Sequence, residues 1–352
     1  MHGGGAVDVL IVSLGSTAGL RAADEQLQLS LQRAGATAAV AQALRPAEMR
    51  TLMLTDLSWA RAARAAAGQA LSRLGAAPPR AIVYSSTTAA LLWPRAGAIR
   101  FDAPSAGNRP GRHGLWQRPL ERMRLRAAPL LLPWSEGALA ELPAAVRAGD
   151  RALVLPVAVE PSFAEDSTSR ARGFSGRDIA ALTYAANPSK KGLDRVLAAW
   201  RQLRAQRPSG DQLLIAGASA EELAAAGHRL AAEDGVRVLG TLSPQDYRTL
   251  LRRTRVFVCA PRREDYGLAQ LEALADGCQL VTTPAPGPYA ALPIARSLDA
   301  RLVGEDLAGA LRTALADPRE GYAARAREAL APYRRQALDR LVAERLLPRL
   351  LG

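Results

Sequence analysis

The chain has 352 residues, 49% of them hydrophobic, which suffices for two domains that each bury a core. No run of 18 apolar residues occurs, so no membrane-spanning helix is expected. The net charge of +13 invites nucleic acid, an anionic membrane or phosphorylated ligands, but all except two of the 46 basic residues are arginine. In so alanine-rich a chain that looks like coding bias and is weak evidence for DNA binding. Aromatics, at 5%, are too sparse for base-stacking platforms.

Met1–Leu14 has an apolar run without a basic start, and Val7–Ser13 reads as a first strand rather than a signal peptide. The loop Gly15-Ser16-Thr17-Ala18-Gly19 and a helix from Asp24 to Arg33 follow, the opening of a Rossmann-like half. Neither G-x-G-x-x-G nor a P-loop Gly-Lys is present. An alanine-rich helix is expected over Arg61–Leu74 and strands over Arg80–Ser85, Ala98–Asp102, Pro129–Ser135 and Ala152–Val159. Between them Asn108–Arg126 is densely basic, with Arg109, Arg112, Arg118, Arg122, Arg124 and Arg126 against Glu121 alone. It reads either as a solvated face or as a patch for an anionic membrane or a polyprenyl phosphate, with Trp116 favouring an interface. His113 within it is either a solvated loop residue or a functional one. Ser162–Arg177 is polar and reads as a linker.

Beyond it strands alternate with helices. The strands are expected at Ile179–Ala185, Gln212–Ala216, Val236–Leu239, Arg255–Cys259 and Gln279–Thr283. Helices are expected at Leu193–Arg207, Ala220–Ala232, Pro244–Arg252, Gly267–Ala275 and Leu307–Ala316. Such alternation means a parallel sheet covered on both faces, with ligands at the carboxyl ends of its strands. Ala331–Leu351 is a last helix carrying Leu338, Leu341, Leu346 and Leu347. Cys259 and Cys278 flank one strand–helix–strand stretch at neighbouring strand ends. They predict reduced, buried thiols of a cytoplasmic protein.

Two places carry chemistry. The chain's only lysines, Lys190 and Lys191, are adjacent and open a helix, as if a compact point charge were wanted there. In Arg263–Gly277, Glu264 lies in a loop at a strand's carboxyl end and Glu272 on the following helix, four residues after Leu268 and beside its apolar stripe. Carboxylates suit sugar hydroxyls, and the free N–H groups of a helix start suit phosphate. The plainer alternative is a helix-start acid, a surface glutamate and an exposed lysine turn. No Asp-x-Asp triplet occurs, which argues against a metal-dependent transferase.

Glu264, seven residues, Glu272, then Ala-Leu-Ala-Asp-Gly and a strand resembles the donor-site signature of retaining GT-B glycosyltransferases, family 4. The resemblance continues over most of residues 178–290. It implies an α/β fold of GT-B architecture, two Rossmann-like domains with parallel sheets facing across a cleft. Residues 1–161 would be the acceptor-side domain, 162–177 the linker, 178–330 the nucleotide-sugar-binding domain, and 331–352 a helix crossing back. It also implies that Glu264 meets the donor sugar, Glu272 the ribose, and the loop Asp265, Tyr266, Gly267 and Leu268 the diphosphate. Lys191-Gly192 matches the family's Lys-Gly, while Ala186 stands where an arginine is usual, so that contact is missing or passes to Lys190. Gly15 would approach a donor phosphate, and Gly240–Leu242 would frame the base through its backbone. On the acceptor side Asp102 matches an Asp, but Phe101 stands in place of the preceding His, and His113 is a candidate substitute. The implied catalytic residues are Glu264, Lys191, Asp102 and His113. The implied partners are a nucleotide diphosphate sugar and an unassigned acceptor, with an anionic membrane surface through Arg109–Arg126. No metal, other cofactor or nucleic acid is expected. The location implied is cytoplasmic, peripheral on the inner face of the membrane. Alternatives are a UDP-sugar 2-epimerase of the same architecture and a non-catalytic arginine-rich membrane or nucleic-acid binder.

Overall fold

Every side chain of β1 (Val9–Ser13) is buried, as in a strand covered on both faces. The computed structural model describes residues 6–47, 49–147, 149–162 and 176–352, so most of the expected linker lies outside the described residues. The chain forms two units, Met1–Ala158 with Tyr333–Gly352, and Val159–Pro332.

In the first unit β1 is joined by β2 (Ala38–Gln42), β3 (Ala81–Tyr84), β4 (Ala98–Phe101) and β5 (Leu131–Pro133). All pair in parallel in the order β2-β1-β3-β4-β5, so the winding reverses between β1 and β3. Three expectations are corrected, and one segment that was given no element proves to hold one. The first helix begins at Ala18, six residues early, because the Thr17 side chain caps it by accepting from Leu20 N. The next runs Leu52–Leu74, capped by Thr51. Ala152 makes only an isolated bridge to Leu131 in place of a strand. The basic segment contains a helix, Gln117–Ala127. Residues 333–352 seal one face of this unit: Leu338, Val342 and Leu346 are buried with Val9, Leu27, Leu31 and Val83. Each such side chain contributes about 1.5–3 kcal/mol of burial.

The second unit holds β6 (Ile179–Tyr184), β7 (Leu213–Ala216), β8 (Val236–Gly240), β9 (Thr254–Cys259) and β10 (Gln279–Thr282). Their order is β10-β9-β6-β7-β8, again all parallel. This is the Rossmann order, and its reversal falls between β6 and β9. The helix after β6 spans Leu193–Gln202, with Leu193, Val196, Leu197 and Trp200 on its buried face. It stops five residues short of expectation, and Ala220–Ala225 seven short. Pro244–Arg253, Leu268–Ala275 and Leu307–Ala316 lie as expected to within a residue. Ala291–Leu298 and Tyr322–Ala329 had no counterpart in the sequence reading.

Candidate active site

At the reversal point of the second sheet, loops from the carboxyl ends of β6, β9 and β10 interlock. Gly192 closes the loop after β6 at φ +63°, and a Cβ there would lie 1.9 Å from the Ala260 carbonyl oxygen, so only glycine fits. Arg262 N donates to Lys190 O at 3.0 Å across the same contact. The loop after β10 presses from the other side. Glu264 N donates to Pro286 O at 3.1 Å, and a Cβ on Gly287 would stand 2.4 Å from Glu264 O.

This packing brings together residues 73 and 75 positions apart. Lys191 Nζ donates to Glu264 Oε2 at 2.7 Å, and Lys190 Nζ to Asp265 Oδ2 at 2.7 Å. Arg263 Nε adds a contact of 2.9 Å to Asp265 Oδ1. Glu264 and Asp265 are 5% and 6% exposed, so their charges depend on these cations. Three cations face two carboxylates, leaving one net positive charge in the cluster. Gly267, at φ +89°, starts the Leu268–Ala275 helix. The first amide to bond within it is Leu271 N, so the N–H groups of Leu268, Ala269 and Gln270 have no helical acceptor. Tyr266 is buried beside them. Cations and free amides together make an anion-binding place.

Farther along the helix, Glu272 is partly buried and its carboxylate has no hydrogen-bond partner among the described residues. Burial pushes its carboxyl up to about 7, with Arg248 pulling it back and Asp276 adding to the rise. Tyr184 and Tyr247, with ring centroids 5.5 Å apart, lie near enough that burial first and Glu272 second push both phenols up. Gly217 at the end of β7 sits against the Tyr184 ring, 2.7 Å from where a Cβ would be. Leu242 is partly buried just before the Ser243 cap of the next helix. Sequence reading missed Tyr184, Tyr247, Arg248 and Gln270. A tyrosine ending a strand was the only signal, and it reads as core. Cys259 and Cys278 are free and buried, as expected. They are not at neighbouring strand ends, however. β9 and β10 are parallel and Cys259 pairs with Thr282, which leaves Cys278 at the opposite end of the sheet.

In the first unit Gly15 follows β1 at that sheet's own reversal point, at φ +55°, with Gln42 Nε2 2.1 Å from a would-be Cβ. Beneath it Ser13 Oγ donates to Asp24 at 2.5 Å, Arg100 pairs with Asp24 at 3.6 Å, and Arg100 stacks on Trp134. Burial pushes the Asp24 carboxyl up, and Arg100 opposes it. Asp102 Oδ1 accepts from Ala103 N at 2.9 Å. Phe101 is a core residue, 1% exposed, so its position is structural. His113 is exposed on the turn Gly111–Gly114.

Half of the basic segment works internally. Arg109 makes a two-pronged pair with Asp56 at 2.6 and 2.8 Å. Arg118 donates to Gly111 O and Gly114 O, and Arg124 to Leu91 O while stacking on Trp93. Glu121 is buried and accepts from Ser105 N. Arg112, Arg122 and Arg126 are exposed beside Leu115 and Met123, themselves 64% and 50% exposed. A cavity of about 330 Å³ lies along this helix, lined by Pro104, Leu115, Arg118, Arg122 and Leu142 among others. Among the described residues no three His, Cys, Asp or Glu side chains group to hold a metal ion, and no helix is long and apolar enough to cross a membrane.

Two Rossmann-like parallel-sheet units make an α/β architecture consistent with the GT-B fold, with a cation–carboxylate cluster at the reversal point of the second. Residues 178–317 match the family model for glycosyl transferases group 1. That match lies wholly within the second unit. WaaG, a glycosyltransferase involved in lipopolysaccharide biosynthesis, superposes with a TM-score of 0.70 at 16% identity, over 96% of this chain and 99% of that one. Sucrose-phosphate synthase from Thermosynechococcus elongatus gives 0.73 at 18% identity, over 97% and 98%. Anabaena HepE in complex with UDP-glucose gives 0.68 at 13%, over 98% and 100%. At such identities the likeness is one of fold. No curated protein matches the chain in sequence.

Proposed function

We propose that the cluster between β6 and β9 holds the donor's diphosphate and sugar, and that transfer needs no metal. The observation that carries this is the Lys191–Glu264 pair beside unpaired helix amides. The bond from the anomeric carbon to the diphosphate oxygen breaks with its electron pair leaving on that oxygen. Lys191, Lys190 and the amides at Leu268–Gln270 neutralise the charge that develops there. The acceptor hydroxyl bonds to the same face of the carbon, and its proton passes to the departing phosphate oxygen. Glu264 faces the sugar and stabilises positive character at the anomeric carbon. Asp265 anchors Lys190, Tyr266 and Gly267 shape the loop, and Glu272 accepts hydrogen bonds from the ribose hydroxyls. Leu242 borders the base, and in the first unit we assign Gly15 to a donor phosphate and Asp102 and His113 to the acceptor. Lys190 supplies the cation that Ala186 does not.

The exposed Arg112, Arg122 and Arg126, mixed with Leu115 and Met123, suit the inner face of an anionic membrane. Thermal unfolding with UDP, GDP and dTDP tests the donor site. One of them should stabilise the protein in EDTA as well as in Mg²⁺, by about 2.7 kcal/mol at a hundred times Kd. No stabilisation by any of them refutes the reading.

A further inference from the structure

Gln270 lies in the first turn of the Leu268–Ala275 helix and is 2% exposed. Its Nε2 donates to Glu264 Oε2 at 3.1 Å and to Cys259 Sγ at 3.6 Å. Its Oε1 is buried with no partner among the described residues. A buried amide oxygen left unpaired works against folding, and an apolar side chain of the same length would avoid that penalty. The orientation is nonetheless forced, because a carboxylate only accepts and turning the amide over would set two acceptors against each other. The unpaired oxygen is therefore a consequence of holding Glu264.

Glu264 Oε2 has two donors, Lys191 at 2.7 Å and Gln270 at 3.1 Å. Its Oε1 has no partner among the described residues and is not sealed off from solvent. In the reaction above Lys191 turns to the diphosphate, and Gln270 is then the one donor left on Glu264. We propose that Gln270 is a positioning residue that keeps Glu264 aimed at the donor sugar once Lys191 has changed partner. An uncharged donor suits this task. It fixes the carboxylate without neutralising the charge that the anomeric carbon requires. The inference rests on the donor-site reading.

The test replaces Gln270 by Met, equal in length and apolar, with Gln270→Leu as a second variant. Binding of UDP, GDP and dTDP is measured by calorimetry. Turnover is followed as nucleoside diphosphate release from UDP-glucose, UDP-galactose, UDP-N-acetylglucosamine, GDP-mannose and dTDP-glucose. Gln270→Met should melt at the wild-type temperature or above it and bind the diphosphate within about two-fold of wild type. Its kcat on the best donor should fall about ten-fold with little change in KM, since misplacing a reacting group costs rate rather than affinity. Unchanged kcat in a folded variant overturns the proposal. So does diphosphate affinity falling in step with kcat, or failure of both variants to fold, since each outcome marks a packing role. If Glu264→Gln slows turnover and Gln270→Met does not, Gln270 alone is misassigned. If the wild type releases diphosphate from none of the five donors, the donor-site reading falls and this inference with it.

Discussion

Glu272 makes the donor-site reading measurable through pH alone. Burial holds its carboxyl at about 7, against an ordinary value of 4.5, so near neutrality the free protein is divided between protonated and ionised forms. Ribose hydroxyls donate to the ionised carboxylate, so the nucleotide selects that form. Apparent affinity scales with the ionised fraction, which rises from about one in eleven at pH 6 to about ten in eleven at pH 8, a ten-fold gain worth ~1.4 kcal/mol. Binding at pH 7 should release about half a proton, visible in calorimetry as a dependence on buffer ionisation enthalpy. The ligand's terminal phosphate also titrates, near pH 6. Glu272→Gln isolates the protein's share, because the ligand's titration persists while the protein's disappears. The variant should also bind more weakly at pH 8, by about 1.5–3 kcal/mol, having lost a charged acceptor.

Stability supplies an independent check. The folded value of Glu272 is raised, so its favourable contribution is complete below about 4.5 and is lost as pH climbs through about 7. The unliganded wild type should therefore lose up to about 3 kcal/mol over that window relative to Glu272→Gln. A pH slope of binding that is the same in both proteins refutes the assignment. So does wild-type affinity that falls between pH 6 and pH 8.

Glu264→Gln should lower kcat by about a hundred-fold while leaving nucleoside diphosphate affinity unchanged or slightly tighter, since it frees Lys191 from its carboxylate. Weakening as large as that caused by Glu272→Gln would merge the two roles and reject their separation. For the membrane surface, flotation with liposomes should rise with acidic lipid and fall with salt, and Arg122→Glu with Arg126→Glu should abolish the difference. Equal recovery on neutral and acidic vesicles would return these arginines to coding bias.

Four strands of the second unit, β6, β7, β9 and β10, were legible because each is a short, mostly buried apolar run bounded by polar loops, whereas β8 is only partly buried and was legible from the alternation of Val236 and Val238 about Arg237. β2 was not: Ala38-Ala39-Val40-Ala41-Gln42 has a single β-branched residue, and only its pairing with β1 makes it a strand. Gln117–Ala127 was masked by arginine, since Leu120, Met123 and Leu125 leave too thin an apolar stripe to read against so many charges. The helices after β6 and β7 overran because alanine and arginine continue helical composition past the point where packing stops. Glu264, Glu272, Lys190 and Lys191 could each be singled out from the sequence. That Lys191 meets Glu264 depends on β6 and β9 being neighbours at a reversal of strand order, which no local spacing encodes. Tyr184, Tyr247 and Gln270 sit where apolar residues would also fit, so their partners define them and their sequence context does not.

The use of lysine at only two positions has a geometric reading. Elsewhere in the described residues several carboxylates are gripped by two nitrogens of one arginine, as in Arg109–Asp56 at 2.6 and 2.8 Å and Arg33–Asp339 at 2.8 and 2.8 Å, while others, such as Asp194 with Arg262, take a single contact. Such a fork is planar and preorganised, and leaving it means breaking two charge-assisted bonds together. Lys190 and Lys191 each hold their carboxylate through one ammonium contact of 2.7 Å. An ammonium on a flexible stem exchanges one oxygen anion for another by rotation, without losing its charge or needing a planar partner. The proposed reaction asks for that exchange, from Glu264 and Asp265 to a diphosphate, in every turnover. An arginine at position 190 or 191 would bind a diphosphate too, but would first have to release a paired carboxylate. Lysine at these two positions therefore suits a pair that opens better than a two-pronged arginine would.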